Sequence, residues 1–148
     1  MTKIDADKVL IYATSSKGLL VFDEPDFPHI LPQVPGGTVE LGEDIRIAAF
    51  REFFEETGLR APDTLALLGQ TIYRFEQSGR VAAHRRHCFH VTLPDPLADT
   101  WTHSELTPSG GGGPIVFSFF WLSAAEAHER LGYGMEEALA LLPMAEGA

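Results

Sequence analysis

The sequence predicts a single α/β (α+β) domain in which a mixed sheet of five or more strands packs with two or three helices. Runs rich in β-branched and aromatic residues occur on both sides of one long segment that contains no Gly or Pro and ends before a Gly. The chain has 148 residues, of which 45% are apolar and 22% charged, so it can bury one hydrophobic core. Because no repeat or linker interrupts it, we expect one domain over residues 1–148.

The first two strands are predicted at Val9–Thr14 and Leu19–Asp23, which are rich in aliphatic and aromatic residues. The four residues SSKG between them suit a hairpin turn. Prolines then keep the chain extended or turned until a Gly-Gly pair at Gly36 and Gly37.

A helix is predicted over Asp44–Thr57, with Gly58 in the position of a C-terminal cap. A helical wheel at about 100° per residue gathers its bulky apolar residues on one face, which we expect to be buried. These residues are Ile47, Phe50, Phe53 and Phe54. The opposite face carries three glutamates with only alanines beside them, so nothing large crowds the carboxylates.

The rest of the chain predicts three more strands, a long connection and two short helices. The connection, Pro94–Pro114, contains four prolines and four consecutive glycines, and a loop of that length is functional or mobile. A capping-box pattern at Ser123–Glu126 predicts a helix start. The remaining elements are strands at Leu65–Glu76, Val81–Leu93 and Ile115–Leu122, and a short helix near Met135–Leu142.

Charge and composition limit the classes of function. With a net charge of -10, the chain is expected to bind neither nucleic-acid polymers nor anionic membranes, because both need basic groups. A small phosphorylated ligand stays open if a divalent cation supplies local positive charge. A lone cysteine, Cys88, an N-terminus too charged for a signal peptide and no apolar run long enough for a bilayer favour a cytoplasmic enzyme.

The three glutamates of the predicted helix, Glu52, Glu55 and Glu56, are spaced i, i+3 and i+4. Like charges at these spacings cost an isolated helix about 0.2–0.5 kcal/mol per pair. A hard divalent cation among them would reverse this cost, since Mg²⁺ prefers oxygen ligands. The alternative is a solvated acidic face, but that alternative leaves the Gly-Gly pair and the offsets of Glu43 and Arg51 unexplained.

The segment from Gly37 to Leu59 resembles the Nudix box, the signature of the Nudix hydrolase family. The box combines a Gly, a Glu, an Arg-Glu pair, a Glu-Glu pair and a final Gly with an apolar residue at fixed spacings. This chain supplies them in register as Gly37, Glu43, Arg51, Glu52, Phe53, Glu55, Glu56, Gly58 and Leu59. Phe53 departs mildly from the usual aliphatic residue. The strand order and the closing strand-helix pair also resemble the Nudix fold, in which a mixed sheet is sandwiched between helices.

The resemblance implies a hydrolase that cleaves a pyrophosphate bond, with Mg²⁺ as cofactor and Mn²⁺ as a substitute. The substrate would be a nucleoside diphosphate linked to another moiety, or a nucleoside di- or triphosphate. Glu52, Glu55 and Glu56 would bind the metal with the Gly36 carbonyl, Glu43 would contribute less, and Arg51 would orient a glutamate. The general base would be Glu52 or an acid of the long connection: Glu105, which we favour among them, Asp99 or Asp95.

Substrate contacts outside the box are predicted from charge and ring chemistry. Arg74 and Arg86 belong to a basic hairpin and could grip a phosphate, the alternative being an exposed solubilising surface. Strand alternation places His84 with Arg86 on one face, and Arg85 with His87 on the other. Trp101 could stack on a base or simply pack.

Three functional classes remain open at this stage. Besides the hydrolase, they are a non-catalytic Nudix-like nucleotide sensor and a Nudix-fold isoprenoid diphosphate isomerase. A complete box favours the hydrolase over a sensor, and the position of Cys88 in an apolar strand disfavours the isomerase. A homodimer is left open.

Overall fold

The computed structural model describes residues 3–106 and 112–143. Its strands are β1 (Ala6–Ser15), β2 (Gly18–Asp23), β3 (Gly36–Thr38), β4 (Ala66–Gln77), β5 (Arg80–Thr92), β6 (Trp101–Glu105) and β7 (Ile115–Leu122). They form one mixed sheet with the spatial order β4-β5-β1-β2-β7-β6, and β3 pairs with β1. The helices are α1 (Ile45–Thr57), α2 (Ala124–Arg130) and a 3-10 helix at Met135–Leu141. The predicted class, the five predicted strands and the helix positions are therefore confirmed, whereas β3 and β6 were not predicted.

A fork in the sheet brings the Gly-Gly pair to its centre. β1 and β2 pair only beside their turn, where Thr14 lies opposite Leu19 and Ser15 lies opposite Gly18. Farther from the turn the two strands separate and β3 pairs with β1. There Lys8 lies opposite Thr38, Val9 opposite Gly37 and Leu10 opposite Gly36. On its other side β1 runs parallel to β5. The opening between β1 and β2 thus places a short glycine strand against α1.

Alternation along β1 divides the core into two layers. Val9, Ile11 and Ala13 pack with Ala48, Ala49 and Phe53 of α1, whereas Leu10 and Tyr12 pack with α2 and the 3-10 helix. Helices therefore cover both faces of the sheet, as the resemblance implied. Among the described residues, no helix is both long and apolar enough to cross a membrane.

The buried face of α1 differs from the helical-wheel prediction. Phe53 is buried and Phe50 packs at the edge of the core, but Ile47 is 62% and Phe54 44% exposed. The helix instead rests on Ala48, Ala49, Glu52, Phe53, Glu56 and Thr57. Small alanines let the helix approach the sheet closely, so the contact surface is shifted towards the glutamates and away from two of the bulky residues.

The prediction of a loop over Pro94–Pro114 is wrong in the middle of this segment. Trp101–Glu105 forms β6, which pairs antiparallel with β7 along the sheet edge. Its side chains alternate between half-buried and exposed, as in a strand covered on one face. Residues 107–111, which include part of the glycine run, lie outside the described residues. Trp101 and Glu105 are thus part of the sheet and not of a loop.

Candidate functional site

The glycines of β3 form a close-fitting floor for two glutamates of α1. The backbone N–H of Gly36 donates to Oε1 of Glu56 at 3.0 Å. A Cβ atom at Gly37 would lie 2.0 Å from Oε2 of Glu52, so only glycine leaves room for this carboxylate. Glu52 is 3% and Glu56 8% exposed. The absence of a side chain at Gly37 therefore leaves the space that the Glu52 carboxylate fills, whereas a Cβ atom at Gly36 would meet the Val9 carbonyl and Leu10.

Local capping fixes α1 in register with these glycines. Asp44 accepts hydrogen bonds from the backbone N–H groups of Arg46 and Ile47 at 2.9 and 3.2 Å. Gly58 adopts the left-handed conformation, with φ 77°, and donates its N–H to the Phe54 carbonyl. Both ends of the helix are thus fixed where the sequence predicted them.

Arg51 links four carboxylates around the mouth of the site. Its guanidinium donates to both oxygens of Glu43 at 2.8 Å, to Oε1 of Glu52 at 2.7 Å and to Oε2 of Glu55 at 3.3 Å. Glu40 lies at the edge of the network, 4.0 Å from the guanidinium. Arg51 therefore orients Glu52 and Glu55, as expected, and Glu43 holds Arg51.

Protonation in the network depends on burial and on distance from Arg51. The hydrogen bonds of Arg51 lower the pKa of Glu43 to about 2. Burial raises the pKa of Glu52 to about 7, although Arg51 opposes this shift. Burial also raises the pKa of Glu56 well above its ordinary value, against the Gly36 hydrogen bond. Two acids of α1 are thus held where their negative charge is disfavoured unless a cation compensates it.

The donors fit a hard divalent cation in chemistry and position. Carboxylate oxygens are the ligands that Mg²⁺ prefers, and the two buried acids have a disfavoured charge that a cation would stabilise. Among residues 3–106 and 112–143, no three acidic, His or Cys side chains already converge as in a preformed metal site. Arg51 donates to oxygens of Glu52 and Glu55. The donors of these residues fit such an ion chemically, and Glu52 and Glu55 would turn from Arg51 to hold it.

Glu105 lies at the same site, on β6. With Arg51 and Glu55 it lines an open cavity of about 490 Å³. Its pKa is raised by burial and by the charge of Glu55. The other two acids of the long connection are engaged at the β1–β2 turn, where Asp99 pairs with Lys17 and Asp95 accepts from the Ser16 hydroxyl. Of the three, Glu105 is therefore the one that the fold brings to the glutamates.

A second cavity, of about 480 Å³, opens beside Glu56 on the other side of β3. Arg86 of β5 and Lys8 of β1 contribute positive charge to it, and Tyr73 and Phe75 of β4 form an aromatic wall. The two rings stack with centroids 5.4 Å apart, and His84 meets Phe75 edge-on. A pocket of this volume and mixed lining is typical of small-molecule sites.

Two other predicted substrate contacts are placed differently. Arg74 lies between Tyr73 and Phe75 in β4, and strand alternation directs its exposed side chain to the opposite face from this cavity. Trp101 donates its Nε1–H to the Thr57 carbonyl at 3.1 Å and stacks on Phe119 at 5.1 Å. The indole therefore packs between α1 and the sheet, which is the alternative that the sequence left open.

Three residues of this cavity were not predicted from the sequence: Lys8, Tyr73 and Phe75. Lys8 lies in a charged N-terminal stretch and comes beside Arg86 only through the parallel pairing of β1 with β5. The alternation of Tyr73 and Phe75 in a predicted strand could have indicated an aromatic face, but not what that face meets.

Comparisons with known proteins agree with this geometry. The chain matches the NUDIX domain over residues 4–142. It is 31% identical over 112 residues to a putative mutator protein MutT4 of Mycobacterium tuberculosis; the match covers 76% of this chain and 40% of that protein. The chain thus spans less than half the length of this relative.

Two solved structures share the fold. A mutator MutT protein from Bacillus halodurans superposes with a TM-score of 0.66 at 18% identity, covering 93% of this chain and 83% of that one. The NUDIX domain of Shewanella oneidensis NrtR, solved with ADP ribose, gives a TM-score of 0.67 at 13% identity, covering 95% and 87%. With the domain match over nearly the whole chain, the buried glutamates on their glycine floor belong to a member of the Nudix family.

Proposed function

We propose that this protein is a Mg²⁺-dependent hydrolase of a phosphoanhydride bond in a nucleoside diphosphate linked to another moiety, or in a nucleoside di- or triphosphate. The observation that carries the proposal is the burial of Glu52 and Glu56 against Gly36 and Gly37, where their pKa values are raised. An arrangement that only stabilised the fold would not retain two buried acids beside two glycines, because burying a carboxylate disfavours the folded state.

In this proposal Glu52, Glu55, Glu56 and the Gly36 carbonyl hold the cation. A divalent cation bound there would neutralise phosphate oxygens and stabilise the charge that develops at the phosphorus atom. Arg51 is a positioning residue: it fixes the rotamers of Glu52 and Glu55 and is itself held by Glu43. The substrate extends from these carboxylates into the cavity with the aromatic wall.

Glu105 is the proposed general base, with Glu52 as the alternative. A base accepts the proton of the attacking water, and its pKa serves this task best when it lies near the working pH. The Glu105 side chain lines an open cavity beside Glu55, and burial raises its pKa. The Glu52 carboxylate is more buried, and Arg51 holds it at 2.7 Å. Glu105 therefore has the better access to water.

The test is a panel of nucleoside diphosphate derivatives with Mg²⁺, in which phosphate and pyrophosphate are read separately. ADP ribose belongs in the panel because the similar NrtR domain was solved with it. We expect turnover of at least one member, and the products identify the bond that is cleaved. Tight binding without turnover of any member would instead indicate a nucleotide-binding module.

The base is tested separately. Glu105→Gln should lower kcat and flatten the acidic limb of the pH profile, with little change in metal affinity. If Glu52 is the base, the Glu105 variant keeps nearly full turnover.

A further inference from the structure

Two cations lie side by side in the cavity with the aromatic wall. Lys8 and Arg86 are register partners in the parallel pair of β1 and β5 and both line this cavity. Arg86 is only 6% exposed, and Lys8 is half-buried. The sheet thus places two positive charges next to each other in a chain whose net charge is -10.

Neither cation has a carboxylate partner within the part of the chain that the structure describes. The Arg86 guanidinium donates to the Tyr133 carbonyl and lies 4.0 Å from the centroid of the Tyr73 ring. The Lys8 ammonium donates to the Thr38 hydroxyl at 2.6 Å. Three other arginines of the chain do form salt bridges: Arg51, Arg80 and Arg85.

The backbone around Tyr133 holds the guanidinium in place. Tyr133 has φ 59°, a left-handed conformation that non-glycine residues adopt rarely, and Gly134 follows with φ 73°. A Cβ atom at Gly134 would lie 3.1 Å from the Tyr73 ring and 3.6 Å from the guanidinium of Arg86. A strained turn that retains a buried cation is typical of a functional position. An arginine has five N–H donors, so donors remain for a ligand after the Tyr133 contact.

The charge balance selects the chemistry of the ligand. Burial lowers the pKa of Lys8 and of Arg86, which means that their positive charges are disfavoured in this environment. A neutral ring on the aromatic wall would leave both charges uncompensated. A phosphate dianion would neutralise both, and arginine binds phosphate in a bidentate manner.

The pair lies towards β4, although Glu56 lines the same cavity. Thr38, Lys8 and Arg86 lie in successive strands, so Arg86 is one strand farther than Lys8 from the glycine floor in β3. The charge of Glu52 acts on Lys8, whereas Arg86 is influenced by Tyr12, Tyr73 and Glu137. A group held by both cations is therefore displaced from the carboxylates towards β4.

We propose that Lys8 and Arg86 form a phosphate-binding subsite that works without a metal ion and holds a phosphate group of the substrate other than the one attacked. Its role in the substrate rests on the proposed function, but phosphate binding itself does not. The subsite makes Arg86 a specificity-determining residue, because substrates lacking a second phosphate in reach of it lose this contact.

The experiment is a titration of EDTA-treated protein with inorganic phosphate and with pyrophosphate at pH 7.5, followed by calorimetry and amide chemical shifts. Sodium chloride at equal ionic strength controls for general screening. We expect saturable binding, with shifts centred on Tyr73, His84 and Tyr133. Arg86→Met and Lys8→Met should each weaken it by about tenfold or more. Arg85→Met is the matched control, because Arg85 lies next in the strand but faces away and pairs with Asp7.

Three results would each overturn the subsite. They are no saturable phosphate binding to the wild-type protein, chemical-shift changes centred on residues 51–56, and equal phosphate affinity in Arg86→Met and Arg85→Met. The chemical-shift map needs only wild-type protein, so it decides the question even if a variant does not fold. Phosphate binding in EDTA with no turnover of any substrate would support the subsite and reject the hydrolase. Turnover of a substrate without phosphate binding in EDTA would support the hydrolase and reject the subsite.

Discussion

Gly37 faces Glu52 so closely that a Cβ atom on the glycine would lie 2.0 Å from the Oε2 atom of the glutamate. The contact joins the first residue of the Nudix box to the first of the glutamates proposed to bind the metal, and the two residues are 15 positions apart in the sequence. The glycine is required because of this space, since Gly37 itself has no left-handed backbone.

Gly37→Ala should therefore displace the Glu52 carboxylate and lower kcat/KM by about a hundredfold, the scale of loss expected when a reacting group moves by about 1 Å. Steady-state kinetics and a melting curve measure the two effects. Gly113→Ala is the control, because no heavy atom lies within 4 Å of its added Cβ. Equal activity of the two variants would show that the glycine floor does not position Glu52.

Glu56→Gln should stabilise the metal-free protein at neutral pH. The folded pKa of Glu56 is raised above its ordinary value of 4.5, so its ionisation destabilises the fold as pH rises above that value. Glutamine keeps an oxygen for the Gly36 N–H but carries no charge. The melting-temperature difference, variant minus wild type, should be small near pH 4 and grow towards pH 8.

The same variant should lose the response to metal. Mg²⁺ should raise the melting temperature of the wild-type protein more than that of Glu56→Gln, because a ligand that binds only the folded state stabilises it. Two results would contradict the role given to the Glu56 carboxylate. One is a variant that is less stable than wild type at pH 8 in EDTA, and the other is a variant whose melting temperature rises as much as that of wild type when Mg²⁺ is added.

Glu43→Gln should lower turnover through Arg51. Glu43 accepts two hydrogen bonds of 2.8 Å from Arg51, and their loss frees the guanidinium that orients Glu52. We expect a loss of about 10–100-fold in metal affinity or kcat, as for other groups that orient metal ligands. Glu40→Gln is the matched control, since Glu40 is exposed and 4.0 Å from Arg51. Equal losses of turnover in both variants would mean that the removal of one negative charge lowers turnover, and not the loss of the hydrogen bonds to Arg51.

Phe53→Ala should destabilise the fold by about 3–5 kcal/mol, because the side chain is fully buried. Phe54→Ala should cost about 1 kcal/mol or less, since Phe54 is 44% exposed and its ring lies 4.8 Å from the Arg60 guanidinium. Urea denaturation compares the two. Equal losses would show that the helix buries the wide apolar stripe that its sequence predicts.

These two phenylalanines also show where sequence reasoning succeeds and where it stops. Spacing and capping residues locate α1, because they act within the helix. Gly58 caps it as predicted, and Asp44, predicted as its first residue, is its N-cap. The rotation of the helix depends on its neighbours. Ala48 and Ala49 allow the helix to approach the sheet closely, which a helical wheel that considers only bulky apolar residues does not predict. Glu52 and Glu56 are then buried against the glycines of β3.

The same distinction holds for the site. The box residues are close in sequence, so their spacing identified Arg51 and the glutamates. Lys8 and Arg86 are 78 positions apart and meet through a parallel pairing that no local pattern encodes. Glu105 came to the site because residues of the expected loop form a strand against β7, where the length and prolines of the connection had favoured a loop.

We propose that a divalent cation held by the α1 glutamates is required for phosphoanhydride hydrolysis. This requirement is tested by measuring the turnover of the best substrate from the panel as a function of Mg²⁺ concentration, in wild-type protein and in Glu56→Gln. We expect saturable activation by Mg²⁺, loss of turnover in EDTA, recovery with Mn²⁺, and a fall of about 10²-fold or more in the variant. Full turnover in EDTA, or a variant as active as the wild type at every Mg²⁺ concentration, would contradict it.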